Sequence, residues 1–277
     1  MENAPIGVYD SGVGGLTVVR EIQRLMPNED IAYLGDTARV PYGDRTPAEI
    51  RQFACEITDF LLSKGVKLIV VACNTSSALA LGFLRGRYAL PFIGMIEPGA
   101  EAAGAATSSG RIGVIGTQGT IKSGAYSVAI RGKIPDAAIF EQACPLLVPL
   151  VEAGKAESAE AFEALMGYLK SMKQGNIDTL VLGCTHYPFL SKSIARIMGP
   201  GVTLVDPAEA VARKVHDTLR DLQLLNPNKE RTGAFTIYST GDPVSFSRVA
   251  SSLLGVDRHK ITVTRISLEK GRAAADD

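Results

Sequence analysis

The 277-residue sequence predicts an α/β fold built from a duplicated unit of mainly parallel strands flanked by helices. Three observations predict it. Apolar runs of strand length alternate with stretches patterned as helices. One run, "KLIVVA", is almost continuously apolar, as in a strand buried on both faces of a parallel sheet. The second half also echoes the first. Aligning "PIGVYD" with "RIGVIG" pairs Gly7 with Gly113 and Ser11 with Thr117, each 106 residues apart. Cys73 and Cys184 lie 111 apart, a difference that one or two loop insertions produce.

The elements follow in order. "PIGVYD" is a strand that enters a glycine-rich turn, and "LTVVREIQRLM" is the helix after it. "DIAYLGD" is the second strand. Thr46, Pro47 and Glu49 form a capping box with proline at the first helical position, so a helix starts there and runs towards Gly65. "KLIVVA" leads to Cys73, then to the helix-like "SSALALGFLRGR" and the strand "FIGMIE". The pattern restarts with "RIGVIGTQGT" and reaches "DTLVLG" before Cys184. After "LVDP", Asp206 and Pro207 open a long helix that ends near Leu225. "AFTIYST" is a strand, Asp242 and Pro243 open another helix, "KITVTRI" is the last strand, and "GRAAADD" is a frayed tail.

Composition narrows the function classes. Length favours two domains over one. Lys plus Arg and Asp plus Glu are both 29, so neither nucleic acid nor an anionic membrane has an electrostatic claim on this chain. The apolar runs are too short to span a bilayer. The opening "MENAPIGVYD" has an acidic residue and no long apolar region, so no signal peptide is expected. Cys55, Cys73, Cys144 and Cys184 are widely spaced and include no C-x-x-C pair, which reads as reduced thiols in the cytoplasm.

Reactive groups in open parallel sheets gather beyond the carboxyl ends of the strands. Four ends stand out: Asp10-Ser11, Gly35-Asp36-Thr37, Cys73-Asn74-Thr75 and Cys184-Thr185-His186. If the halves face each other, two thiols meet across one cleft. A helix N-terminus behind each would favour the thiolate, and its free N–H groups would hold a carboxylate. A single strand-end cysteine is usually core filler; two in echoing positions argue for a site holding a small anion between two sulfurs. His186, two residues after Cys184, is a proton partner in that setting. Asp10 either caps the "DSGVGG" turn or serves the site. Cys55 and Cys144 read as structural.

Other chemistries fit less well. "DSGVGG" lacks the lysine of a phosphate loop, and as a dinucleotide fingerprint its third glycine position falls on Thr17. Zinc could draw on Cys73, Cys184 and His186, but the usual local ligand pairs are missing, so no metal is expected. A redox pair would want C-x-x-C.

Together "GVYDSGVGGLTV", "YLGDTARVPYG", "VVACNTSSA", "CPLLVPLVE" and "LGCTHYPFL" resemble the glutamate racemase family, within the aspartate/glutamate racemase superfamily, in order and spacing. The resemblance runs over nearly the whole chain. It implies two similar α/β domains around a cleft that holds the active site, with boundaries at 1–97 plus 207–277 and 98–206. It implies an isomerase that needs no cofactor, interconverts L- and D-glutamate and supplies D-glutamate for peptidoglycan. Carried over, Cys73 and Cys184 are the acid/base residues, facing D- and L-glutamate respectively. Asp10 assists the first; Glu152 and His186 assist the second. Asp10, Ser11, Tyr42, Gly43, Asn74, Thr75, Thr185 and His186 would line the substrate. The partner expected is glutamate, with no nucleic acid and no membrane; a homodimer is left open. A racemase of aspartate or another small acid, and a non-catalytic dicarboxylate-binding module, are the alternatives.

Overall fold

The structure is a computed structural model and describes residues 2–254, 257 and 261–268, so the expected tail "GRAAADD" lies outside the described residues. Six strands make the first sheet: β1 (Ile6–Asp10), β2 (Ile31–Gly35), β3 (Leu68–Val71), β4 (Phe92–Gly94), β9 (Phe235–Ser239) and β10 (Val263–Arg265), in the order β10-β9-β2-β1-β3-β4. Four make the second: β5 (Arg111–Gly116), β6 (Ala138–Ala143), β7 (Thr179–Gly183) and β8 (Thr203–Val205), in the order β6-β5-β7-β8. All pairings are parallel. The order β2-β1-β3-β4 therefore has its counterpart in β6-β5-β7-β8, so the echo in the sequence is a repeat of topology. The surplus strands β9 and β10 extend the first sheet beyond β2.

Each sheet is covered on both faces. Val18, Val19 and Ile22 of the helix Leu16–Leu25 pack with Val211, Val215 and Leu219 of the helix Pro207–Asp221 on one side of the first sheet. Ile50, Ala54, Ile57 and Leu61 of the helix Pro47–Ser63 cover the other. The second sheet lies between Leu165, Met172 and Ile194 on one face and Ile96, Ala100, Ala103 and Ile130 on the other. Leu68, Ile69, Val70 and Val71 are all 0% exposed. Burying each contributes about 1.5–3 kcal/mol, which fixes the depth of β3 and hence the position of the cysteine two residues beyond it.

The capping box forms as read: Thr46 Oγ1 accepts from the Glu49 N–H at 3.3 Å, and Glu49 Oε2 accepts from the Thr46 N–H at 2.9 Å. That helix stops just before Gly65, which has φ +71°. Elsewhere the structure corrects the sequence reading. "SSALALGFLRGR" is two short helices, Asn74–Leu79 and Leu81–Arg87, broken at Ala80 (φ −124°, ψ −20°). "FIGMIE" keeps only Phe92–Gly94 as strand, because Ile96 and Glu97 already belong to the helix Ile96–Ala106. The helix opened by Asp206 ends at Asp221, where Gln223 turns the chain at φ +57°.

Candidate active site

Parallel strands of both sheets deliver their carboxyl ends to one cavity of about 60 Å³. It is lined by Ser11 after β1, by Cys73, Asn74 and Thr75 after β3, and by Cys184, Thr185 and His186 after β7, with Tyr42 and Gly43 closing one side. Its size is several times what one water needs and far below a nucleotide pocket, so it suits a small ligand. Asp10 and Glu152 stand just behind this wall. The predicted end at Asp36 and Thr37 does not join it: Asp36 is fully buried and accepts from Arg39, Tyr42 and Thr240.

Cys73 caps the helix Asn74–Leu79, its Sγ accepting from the Ser76 N–H at 3.5 Å. The expectation that the helix end would favour a thiolate here is corrected. Burial, then the charge of Asp10, push the thiol up to about 12 against the opposing pull of Ser76. Desolvation at a residue only 4% exposed outweighs the dipole of a six-residue helix.

Cys184 is held differently. β7 leads into a 3₁₀ turn, Tyr187–Leu190, that passes directly into the helix Ser191–Met198, so the α-helix begins seven residues after Cys184 instead of at Thr185. Its partner is an imidazole instead. Cys184 Sγ lies 3.8 Å from His186 Nδ1, and His186 Nε2 lies 2.6 Å from Glu152 Oε1. Burial opposes a charge on this imidazole, but its hydrogen bonds to Cys184 and Glu152, and their charges, hold its pKa well above the ordinary value. An imidazolium so placed donates to both sulfur and carboxylate.

Asp10 caps the turn and also touches a wall residue of the cavity. Oδ2 accepts the N–H groups of Gly12 and Gly15 at 3.0 and 3.1 Å, capping the turn, while Oδ1 accepts from the Thr185 hydroxyl at 3.3 Å. The glycines of that turn serve close packing between the halves. A β-carbon at Gly14 would come 2.5 Å from Thr185 Oγ1, and one at Gly12 would come 3.0 Å from Glu152 Oε1. Tyr42 lines the cavity with its hydroxyl already committed to Asp36, and Gly43 uses its carbonyl to accept from Gly119 N–H at 2.9 Å.

Thr117 and Cys144 are wall residues that the sequence reading did not place in the site. The alignment held a signal for Thr117, since it is the counterpart of Ser11; its Oγ1 lies 2.8 Å from Thr75 Oγ1 across the cleft. Cys144 lines the wall while its thiol donates to the Gln142 carbonyl at 3.6 Å. Val40, Pro41, Val148 and Pro149 add apolar walls that no local motif announced. Among the described residues, no group of three or more His, Cys, Asp or Glu could hold a metal ion.

Two sulfurs at equivalent strand ends of a duplicated sheet line one small cavity, an arrangement that suits proton transfer on a small molecule. Residues 7–215 match the Asp/Glu/hydantoin racemase family, and the chain belongs to it. The glutamate racemase of Geobacter metallireducens is 48% identical over 250 residues, 90% of this chain and 92% of that protein. A glutamate racemase isoform of Bacillus anthracis superposes with a TM-score of 0.92 at 39% identity, covering 97% of this chain and 99% of that one. The Francisella tularensis glutamate racemase in complex with D-glutamate does so with a TM-score of 0.88 at 36% identity and the same coverage.

Proposed function

We infer that this protein is a glutamate racemase, exchanging the α-proton of L- and D-glutamate between Cys73 and Cys184 and supplying D-glutamate for peptidoglycan. The observation that carries the mechanism is that both sulfurs line one small cavity from equivalent strand ends. The relatives named above support the substrate.

Inverting a stereocentre requires removing a proton from one face and returning one to the other. His186, whose charge is favoured by Cys184 and Glu152, faces the Cys184 sulfur through Nδ1 and can offset negative charge that develops there during proton transfer. Cys73, held as a thiol by burial and Asp10, is the complementary acid. Cys184 takes the proton of L-glutamate in this reading, and Cys73 protonates the opposite face. In the reverse direction the roles exchange, and the ammonium of the bound amino acid offsets the negative charge that Cys73 must then carry. Ser11, Asn74, Thr75 and Thr185 supply polar contacts that orient the carboxylates and stabilise the developing carbanion.

Residues 1–97 with 207–277, and 98–206, are read as the two domains. The packing of Val211, Val215 and Leu219 into the first core, and of Ala100 and Ala103 into the second, supports these limits. Four free cysteines support a reducing, cytoplasmic setting. Among the described residues, no helix is long and apolar enough to cross a membrane.

The test is polarimetric. Pure protein, dialysed against EDTA, should racemise L-glutamate and D-glutamate at undiminished rate and leave L-aspartate unchanged. Faster turnover of aspartate would replace the substrate. Binding of glutamate without loss of rotation would indicate a binding module, and activity lost to EDTA and restored by zinc would overturn the metal-free mechanism.

A further inference from the structure

Asn74 follows Cys73 directly and lines the cavity, yet one arm of its carboxamide is engaged from the opposite half of the molecule. The Tyr126 hydroxyl donates to Asn74 Oδ1 at 2.7 Å. Both residues are buried, at 0% and 3% exposure. The other arm, Nδ2, has no hydrogen-bond partner among the described residues. A buried amide donor without an acceptor carries a desolvation penalty, which an arriving carboxylate would relieve.

The fold makes room for this hydroxyl. Tyr126 stands in the helix Ala125–Arg131, and its ring lies against two glycines. A β-carbon at Gly99 would come 3.0 Å from the phenol oxygen, and one at Gly183 would come 3.2 Å from Cε2. Gly183 immediately precedes Cys184. The ring therefore packs at the strand end that carries one cysteine, while its hydroxyl reaches the residue after the other. Burial holds the phenol above its usual titration range, so it stays an O–H donor at neutral pH. A donor fixes the amide's orientation: were the amide flipped, Nδ2 would face a hydroxyl whose proton had lost its acceptor.

We propose that Tyr126 is a positioning residue for racemisation, clamping the Asn74 carboxamide by its oxygen so that Nδ2 is presented to a carboxylate of the bound amino acid. The proposal rests on the reading of this cavity as the glutamate site. Tyr126→Phe keeps the ring and its packing but releases Oδ1. The amide can then turn its oxygen towards the substrate carboxylate, which repels it.

A double-mutant cycle on kcat/KM for L-glutamate tests the clamp, with thermal unfolding of each variant followed in parallel. Tyr126→Phe should lower kcat/KM by about 10-fold, and Asn74→Ala by about 10–100-fold. The double variant should be no worse than Asn74→Ala alone, because the clamp acts only through that side chain. Should Asn74→Ala unfold at the assay temperature, Asn74→Ser takes its place in the cycle. Losses that multiply, or Tyr126→Phe at wild-type kcat/KM beside an impaired Asn74 variant, would overturn the clamp while leaving the glutamate reading intact. Asn74 variants at wild-type kcat/KM would overturn both the contact of Asn74 with substrate and the clamp. A wild-type protein inert towards glutamate would remove the functional reading itself.

Discussion

Replacing either Cys73 or Cys184 by alanine is expected to abolish racemisation of glutamate in both directions, a loss of about 10⁴-fold or more in kcat/KM. Each face of the α-carbon has one sulfur, and a single face cannot invert the centre. Cys73 accepts a backbone N–H and feels the charge of the buried Asp10, whose oxygens are taken by Gly12, Gly15 and Thr185. On the other side His186 is held between Cys184 and Glu152, behind the sulfur it serves. Cys144 shares the cavity wall, but burial pushes its thiol far up and its hydrogen bond points to Gln142. Removing one sulfur from a buried wall costs little folding free energy, so both variants should unfold near the wild-type temperature. Initial rates by polarimetry on each enantiomer, beside a thermal melt, check this. Substantial turnover by either alanine variant would contradict the assignment.

The helpers should produce smaller and unequal losses. His186→Asn removes the imidazolium and is expected to lower kcat/KM by about 10²–10³-fold, within the usual range for an acid/base partner. Asp10→Asn removes a charge that raises the Cys73 thiol and leaves one acceptor oxygen where the carboxylate used two, for the turn N–H groups and for Thr185. It should be milder in rate and should also lower stability. The two variants differ most in where the loss falls. Proton transfer at Cys184 becomes more rate-limiting in His186→Asn, and proton transfer at Cys73 does so in Asp10→Asn. Primary α-deuterium effects, measured on L- and D-glutamate for both, should therefore change in opposite directions. The ratio of kcat/KM values for the two enantiomers stays at one throughout, because they are equal in free energy in solution. Identical isotope patterns would show that the helpers are wrongly assigned.

Much of this site was legible because its residues sit where sequence signals are strongest. Cys73 and Cys184 end fully buried strands, so their place follows from the apolar runs before them. The "DSGVGG" turn reads as glycine-rich from sequence, but its purpose does not: Gly12 and Gly14 answer to Glu152 and Thr185, more than a hundred residues away. The helix at Thr46 announces itself through local hydrogen bonds that need no tertiary context. Strand β6 did not show itself, for it lies at a sheet edge with every residue only partly buried and with Glu141 and Gln142 in its middle. The break at Ala80 carries no glycine or proline to mark it. The pairing of His186 with Cys184 was legible from their spacing, but the raised pKa of the Cys73 thiol was not, because it depends on desolvation and on the charge of Asp10 from another strand.

The account stands on two sulfurs serving opposite faces of one carbon, and proton incorporation in D₂O tests that most directly. L-glutamate is incubated with the enzyme in D₂O, the reaction is stopped after a few per cent conversion, and both enantiomers are examined by mass spectrometry. The Cys73 thiol exchanges with solvent before turnover, whereas the abstracted proton stays on Cys184, so early D-glutamate should carry deuterium at the α-carbon while remaining L-glutamate stays protiated. D-glutamate should give the mirror result, with the roles of the sulfurs reversed. Early product that retains the substrate's own α-proton would mean that one group serves both faces, and the two-cysteine mechanism would be wrong.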